Sequence, residues 1–453
     1  MSTYAGAEIT GPVVVDSRLV TPGALFAALP GEHVDGHDYA AAAAGKGAAA
    51  ILAARPLPGV TVPVIVVADV TLALGLLATG VLGRLPGATV VGITGSSGKT
   101  STKDLTAQVV ERLGPTIAPE GSLNNEIGLP LTILRADEST KYLVLEMSAR
   151  GIGHIAYLTG IAPPKIAAVL NVGRAHAGEF GSIDAVAKAK GEIVEALPAA
   201  AAGGVAVLNA DDPNVAAMAA RTDARVVTTS VDPGRDADLK ATGVTLDDLS
   251  RASFTLETRA GSAPVTLKLH GGHHVANALA AAAVAAELGM DVQAIADALT
   301  AATARSKKRM ELHERPDGVL VVNDAYNANP DSTKAALAAL AHLTSSGRRG
   351  IAVLGYMAEL GDIATESHAE AGRLAAQAGA AAIVAVGADA APVLDGARAT
   401  DGWQGEAIAA ADPKAAVEEL RNRLRPGDVV LVKASKAAGL WEVADGLLAE
   451  VDQ

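Results

Sequence analysis

The chain has 453 residues, half of them apolar and 19% charged, with a formal net charge of -13 and a pI of about 5.3. That is the balance of a globular chain of about three domains, and its acidity argues against a protein that coats nucleic acid. With no cysteine, disulfides, thiolate metal sites, iron–sulfur clusters and cysteine nucleophiles are excluded; 2% aromatic content leaves no stacking platform for single strands.

The first block spans residues 1–85. Its start, residues 1–10, lacks the basic opening and apolar run of a secretory signal, so a cytoplasmic location is expected. Short apolar runs at 13–15, 49–52 and 62–67 read as strands between Ala-rich helical stretches. Residues 61–83 are long and apolar enough to suggest a membrane span. Asp69, Pro63, Gly75, Gly80 and Gly83 interrupt them, however, so a strand at 62–67 and a helix at 71–82 is the reading, with no membrane contact. Arg84-Leu-Pro-Gly87 marks a boundary.

The second block, residues 86–305, opens with a strand at 89–94 that runs into a Gly-rich loop and a helix from about residue 100. Apolar runs at 142–145, 166–171 and 205–209 alternate with helical segments, the pattern of a parallel α/β sheet. Runs at 265–269 and around Phe254 predict an added antiparallel piece, and residues 276–288 a helix. The third block, residues 306–453, repeats the alternation. Strands are predicted at 319–323, 351–354, 383–386 and 429–432, with helices at 332–343, 367–378 and 413–424, as in a Rossmann-like unit.

The sharpest local signal is Gly92-Ile-Thr-Gly-Ser-Ser-Gly-Lys-Thr100. A strand, a Gly-rich loop, Lys-Thr and a helix together make a phosphate cradle of backbone N–H groups. Lys99 reaches terminal phosphates, and the Thr100 hydroxyl faces Mg²⁺. The strict P-loop spacing asks for Gly at position 93, where Ile stands, so this is a compact variant.

Glu146 and His176 follow predicted strands and project from the same carboxyl edge, which makes them candidate metal ligands. Lys188 and Lys190 read as solvated charges on a helix. Asp324 ends an apolar strand, where an acid can meet a ribose hydroxyl. The Asn- and Asp-rich stretch after it predicts a helix N-cap at Asp331 or Ser332. Arg309, at the block boundary, is either a linker charge or a phosphate clamp delivered by domain closure.

Taken in order, several strings resemble the Mur ligase family over nearly the whole chain. They are Asp16-Ser-Arg18, Gly31-Glu-His-Val-Asp-Gly-His37, Thr94 to Thr100, Asn124-Asn-Glu-Ile-Gly-Leu-Pro130, Glu146-Met-Ser-Ala-Arg-Gly-Ile-Gly153, Asn171 to His176 and Ala189-Lys-Gly-Glu192. Asn277-Ala-Leu-Ala280, Tyr326-Asn-Ala-Asn-Pro-Asp-Ser332, Val353-Leu-Gly355 and Glu359-Leu-Gly361 complete the set. The Tyr326–Ser332 string is similar to that of the branch which adds D-alanyl-D-alanine to a UDP-muramoyl tripeptide.

The resemblance implies an α/β fold of three domains: a small UDP-binding domain, a central P-loop-type domain with a mostly parallel sheet, and a Rossmann-like C-terminal domain. It implies amide formation through an acyl phosphate, with ATP and two Mg²⁺ ions, by a monomer that binds neither nucleic acid nor membrane. The ATP set is then Thr94, Gly95, Ser96, Ser97, Gly98, Lys99, Thr100 and Ser101, with Asn277 on the adenine, Asp324 on the ribose and Arg309 on the γ-phosphate. Thr100 and Glu146 would hold the first Mg²⁺. His176 and a carbamylated Lys190 would hold the second, which replaces the solvated reading of Lys190. Lys99, Lys190, His176 and Arg309 form the catalytic set. Ser17, Arg18, Asn124, Asn125, Tyr326 and Asn329 are substrate-binding candidates.

Ser148, His274, Tyr356, Ala434 and Trp441 depart from the family pattern. A Cβ at Ser148 would narrow the phosphate site if its backbone needed positive φ. The alternatives to this branch are a sibling amino-acid-adding ligase and a non-catalytic nucleotide-binding homologue.

Overall fold

The computed structural model describes residues 7–31, 34–173 and 177–449. Glu32 and His33 of the first-block motif, and the metal candidate His176, lie outside the described residues. The described chain forms an α/β protein with three sheets.

The first sheet is parallel throughout, in the order Val13–Val14, Leu25–Ala27, Ala50–Ala53, Val64–Val66. The apolar stretch after it splits as expected. Helix Val70–Leu82 begins at Asp69, whose carboxylate accepts from the Leu72 N–H at 3.0 Å. No helix among the described residues is long and apolar enough to cross a membrane.

The second sheet has nine strands. Its parallel part reads Thr116–Ile117, Tyr142–Glu146, Thr89–Thr94, Ile166–Val169, Val205–Asn209, Arg225–Ser230. Leu239–Leu246 continues it in parallel, and Arg251–Thr258 and Gly261–His270 add the antiparallel extension. Strand Thr89–Thr94 lies near the middle and is buried at five of its six positions, because helices cover both faces of the sheet. Helix Lys99–Val110 and the Ala-rich helix His274–Glu287 share one core with one face, and helix Ile183–Glu195 lies in the core on the other. Alanine lets the 274–287 helix pack closely, and eleven of its fourteen residues are buried.

The third sheet runs Glu311–Glu314, Leu320–Asp324, Val429–Lys433, Gly350–Leu354, Ala382–Val386, Glu406–Ala410. All pairings are parallel except that of the first strand. The sequence reading missed both edge strands of this sheet, as well as Leu25–Ala27, Thr116–Ile117, Arg225–Ser230 and Leu239–Leu246. Strand Glu311–Glu314 is partly exposed and carries no apolar run, and Glu406–Ala410 is mostly alanine, which favours helix over strand as a local signal.

Two sequence readings are corrected. The N-cap of helix Pro330–Thr344 is Asn329, not Asp331 or Ser332. Pro330 has no N–H to lose and a φ suited to the first helical position. Asn329 Oδ1 therefore accepts from Ser332 N at 2.8 Å, while the Ser332 hydroxyl accepts from Asn329 N at 3.0 Å. Lys190 is not a solvated charge. It is 2% exposed, on the face of helix Ile183–Glu195 that packs onto the central sheet, whereas Lys188 is exposed.

The link from the second sheet to the third is tied to the helix that follows the Gly-rich loop. Asp104 accepts from Ser306 N at 3.0 Å, Gln108 exchanges bonds with Thr303, and Glu111 pairs with both terminal nitrogens of Arg305 at 2.6 Å. Asp104 also partners buried Lys103, whose ammonium donates to the Pro119 carbonyl at 2.7 Å. Asp104→Ala leaves that ammonium without its counter-charge. It is expected to destabilise the protein by about 3 to 5 kcal/mol in urea unfolding; a loss below about 1 kcal/mol would mean that the pair is solvated.

Candidate active site

The carboxyl ends of the second and third sheets face one cavity of about 1260 Å³. From the second sheet come loop residues Ser96 to Ser101, Asn124 and Asn125, Glu146, Asn171 and Asn277. From the third come Arg309, Asp324, Tyr326, Asn329 and Lys433.

The loop is built to leave donors free. Gly98 has φ +80, a conformation that favours glycine. A Cβ there would stand 2.7 Å from Asn277 Oδ1. The helix starting at Lys99 has no side-chain cap, so its first-turn N–H groups lack intrahelical partners and carry the positive end of the helix dipole. Two loop N–H groups are held elsewhere: Ser96 N and Ser97 N both donate to Asn171 Oδ1, at 3.0 and 2.9 Å. Asn171 thus shapes the loop from the neighbouring strand end, a role the sequence reading did not assign.

Lys99 folds back to donate to the Gly95 carbonyl at 2.9 Å. Burial depresses its proton affinity; the Glu146 carboxylate opposes that shift and the Arg309 charge adds to it. Lys190 lies behind the loop and does not line the cavity. Burial, and then the Lys99 charge, push it well below the ordinary lysine value.

Glu146, 1% exposed, ends its strand where expected. One oxygen accepts from the Thr100 hydroxyl at 2.9 Å and the other from Asn124 Nδ2 at 2.6 Å. Hydroxyl and carboxylate oxygens side by side are hard donors, and Mg²⁺ sites commonly use one or two carboxylates beside substrate phosphates. The donor set therefore fits Mg²⁺. Among the described residues there is no cluster of three or more acidic or histidine side chains that could hold a metal without help.

On the opposite wall, the Arg309 guanidinium lies over the Tyr326 ring at 4.3 Å, and its Nε has no hydrogen-bond partner among the described residues. Tyr326 reaches Ser122 across the cavity, hydroxyl to hydroxyl. Asp324 is already engaged: it accepts from Met310 N at 3.1 Å and from the Lys433 ammonium at 2.6 Å. Asn277 donates to His274 Nδ1 at 3.3 Å, and burial keeps His274 neutral.

Other candidates fall elsewhere. Thr94 is fully buried beneath the loop with its hydroxyl unpartnered among the described residues, and Gly95 contributes its carbonyl to Lys99. Asn125 lines the cavity but caps Ile127 N and Gly128 N. Ser17 and Arg18 are not cavity residues; Arg18 is exposed and pairs with Asp16 at 2.6 Å. Ser148 does not take a positive φ, so its Cβ costs no backbone strain. Tyr356 stacks on His368, and Trp441 lies under the Lys308 ammonium at 3.8 Å.

Three family models match the chain: "Mur ligase family, catalytic domain" over residues 11–81, "Mur ligase middle domain" over 93–285 and "Mur ligase, glutamate ligase domain" over 308–436. The UDP-N-acetylmuramoyl-tripeptide–D-alanyl-D-alanine ligase of Mycobacterium tuberculosis is 50% identical over 479 aligned residues, covering 98% of this chain and 93% of that one. A crystal structure of MurF from Acinetobacter baumannii superimposes with a TM-score of 0.85 at 32% identity, covering 97% and 93% of the two chains. The MurF ligase of Thermotoga maritima in complex with ADP gives 0.83 at 29% identity, covering 98% of each. By its sequence and by its fold, this chain belongs to the Mur ligase family.

Proposed function

We propose that this protein is an ATP-dependent ligase that joins D-alanyl-D-alanine to the peptide carboxylate of a UDP-N-acetylmuramoyl tripeptide, releasing ADP and phosphate. One observation carries the reading. A nucleotide-type loop with the Thr100–Glu146 pair faces Arg309 and Tyr326 across a single cavity. The near-full-length likeness to D-alanyl-D-alanine-adding ligases supports it.

A carboxylate is a poor acyl donor, so it must first be activated. Its oxygen attacks the γ-phosphorus of ATP, the bond to the β-phosphate oxygen breaks, and an acyl phosphate and ADP result. The dipeptide amine then attacks the acyl carbon. The tetrahedral intermediate collapses to the amide, and phosphate leaves with the electrons of the C–O bond. Water must be excluded while the acyl phosphate exists, and the facing walls of the cavity serve that need.

In this reading the first-turn N–H groups of helix Lys99–Val110 hold the phosphates, and Lys99 moves from the Gly95 carbonyl to the β/γ oxygens. Arg309, stacked on Tyr326, meets the γ-phosphate from the far wall. Asn277 faces the adenine. Asp324 keeps lone pairs for a ribose hydroxyl beside its bonds to Met310 and Lys433. Thr100 and Glu146 would hold Mg²⁺, which when bound would supply positive charge to the transferring phosphoryl group. Burial favours the free amine of Lys190, the form that would add carbon dioxide, lose a proton to solvent and become a carbamate able to serve a second Mg²⁺ with His176. Asn124, Asn125, Tyr326 and Asn329 border the reacting ends of the substrates, and Ser17 and Arg18 the UDP group. We further propose three units, residues 1–85 for UDP, 86–305 for ATP and 306–453 for closure, in a cytoplasmic monomer.

The test is phosphate release from ATP and Mg²⁺ with UDP-muramoyl tripeptides carrying lysine or diaminopimelate, each with and without D-alanyl-D-alanine. Release is expected to require both substrates; if neither tripeptide supports dipeptide-dependent release, the assignment fails. Glu146→Gln and Thr100→Ala are each expected to lower kcat by about 100-fold.

Lys190 generates a second prediction. Because its folded-state proton affinity is depressed, the unfolded chain binds more protons at pH values below the ordinary 10.5. The contribution of Lys190 to stability therefore rises with pH across that window. In buffer depleted of carbon dioxide, where Lys190 is a free amine, Lys190→Met should raise the urea midpoint at neutral pH and flatten its rise toward pH 10.5. Equal slopes for variant and parent would show that Lys190 is not held neutral.

A further inference from the structure

We propose that Lys433 is a positioning residue that acts through Asp324 to hold the backbone turn presenting Arg309 to the cavity. The proposal rests on the reading of this cavity as the ATP-cleaving site and assigns the turn its support.

Arg309 sits between Lys308, with φ 61, and Met310, with φ 50. Both are non-glycine residues in the left-handed region, a conformation that persists only where the surroundings over-determine it. Three bonds do so here. Tyr326 N donates to the Lys308 carbonyl at 3.1 Å, Lys308 N donates to Glu311 Oε2 at 2.8 Å, and Met310 N donates to Asp324 Oδ1 at 3.1 Å.

The third bond depends on a carboxylate that is itself held. Lys433 is 2% exposed and faces Asp324 directly in the ladder between strands Leu320–Asp324 and Val429–Lys433. Its ammonium donates to Asp324 Oδ2 at 2.6 Å and to the Asn327 carbonyl at 3.1 Å. Remove that ammonium and Asp324 becomes a largely buried charge without its counter-ion, free to turn away. The bond to Met310 is then lost, and the strained turn relaxes. Arg309 would leave the Tyr326 ring and its place in the cavity wall. His273, from the second sheet's side, lies close enough to feel both Asp324 and Lys433, but burial keeps its ring neutral. The ion pair therefore supplies the fixed charge at the Met310 end of the turn, as the Glu311 carboxylate does at the Lys308 end.

Lys433 also borders the cavity, so direct contact with a substrate is the competing explanation. A double-mutant cycle separates the two. Phosphate release is measured for the parent, Lys433→Met, Arg309→Ala, the double variant, and Lys433→Met with Lys308→Gly. Each single variant is expected to lower kcat by about 100-fold, the scale of a displaced reacting group. The double variant should be no slower than Arg309→Ala alone, with KM for the dipeptide unchanged. Glycine at position 308 removes strain from the turn and should recover part of the Lys433→Met loss.

Trp441 gives a readout independent of catalysis. The Lys308 ammonium lies 3.8 Å from its ring centroid, so movement of the turn alters its emission. In a Trp403→Phe background, Lys433→Met should shift Trp441 emission and Arg309→Ala should not. If Lys433→Met does not fold, Asp324→Asn takes its place in the same cycle and the same emission comparison. Multiplying losses in the double variant, an unchanged kcat in Lys433→Met, or an unmoved Trp441 emission would each overturn the proposal. If the parent itself releases no phosphate, the functional reading fails, and the emission comparison alone decides whether Lys433 holds the turn.

Discussion

A parallel sheet covered on both faces can present polar side chains to solvent or ligand only at its ends, and all its strands end on the same side. The site depends on this constraint twice over. The second sheet brings the Gly-rich loop, Glu146 and Asn171 to one edge, and the third brings Asp324 and Lys433 to another. With the two edges facing, chemistry-bearing residues more than 300 positions apart share a wall-to-wall cavity.

The electrostatics of that cavity are lopsided. Burial depresses the proton affinity of Lys99 and of Lys190 behind it, the Arg309 charge adding to the first shift and the Lys99 charge to the second. Glu146 opposes the depression of Lys99 but is itself occupied by Thr100 and Asn124. Such an arrangement is costly without an anion and relaxes when one arrives, because interactions between charges strengthen away from bulk water. A polyphosphate is the kind of anion that fits an uncapped helix terminus with Lys99 beside it and Arg309 on the facing wall.

Stability and function are coupled through the link between the sheets. The helix that begins at the phosphate loop carries Asp104, Gln108 and Glu111 on one stripe, and each holds residues 303–306. The left-handed positions Lys308 and Met310 come immediately after that clamp. The chain is thus firmly held up to residue 306 and strained just beyond it, where Arg309 is displayed. A change in the loop helix and a change in the Arg309 turn are separated by only a few bonds.

Much of this was legible in the sequence, and the division has a physical cause. The loop at 92–100, the strands beside it and the helix after it are local: contiguous residues, apolar runs and glycine positions determine them, and the structure agrees nearly residue for residue. The family strings likewise run in order along the chain. Residue environment was not local. Lys190 reads as a surface charge until the packing of helix Ile183–Glu195 onto the central sheet buries it. The Asn329 cap is the exception, a local miss: Pro330 and Ser332, its immediate neighbours, already mark it as the residue before the helix. The pairing of Asp324 with Lys433 spans 109 positions and exists only because two strands become neighbours in the third sheet. Backbone conformation and apolar rhythm are written in neighbouring residues; burial, charge pairing and strain are decided by what the fold brings alongside.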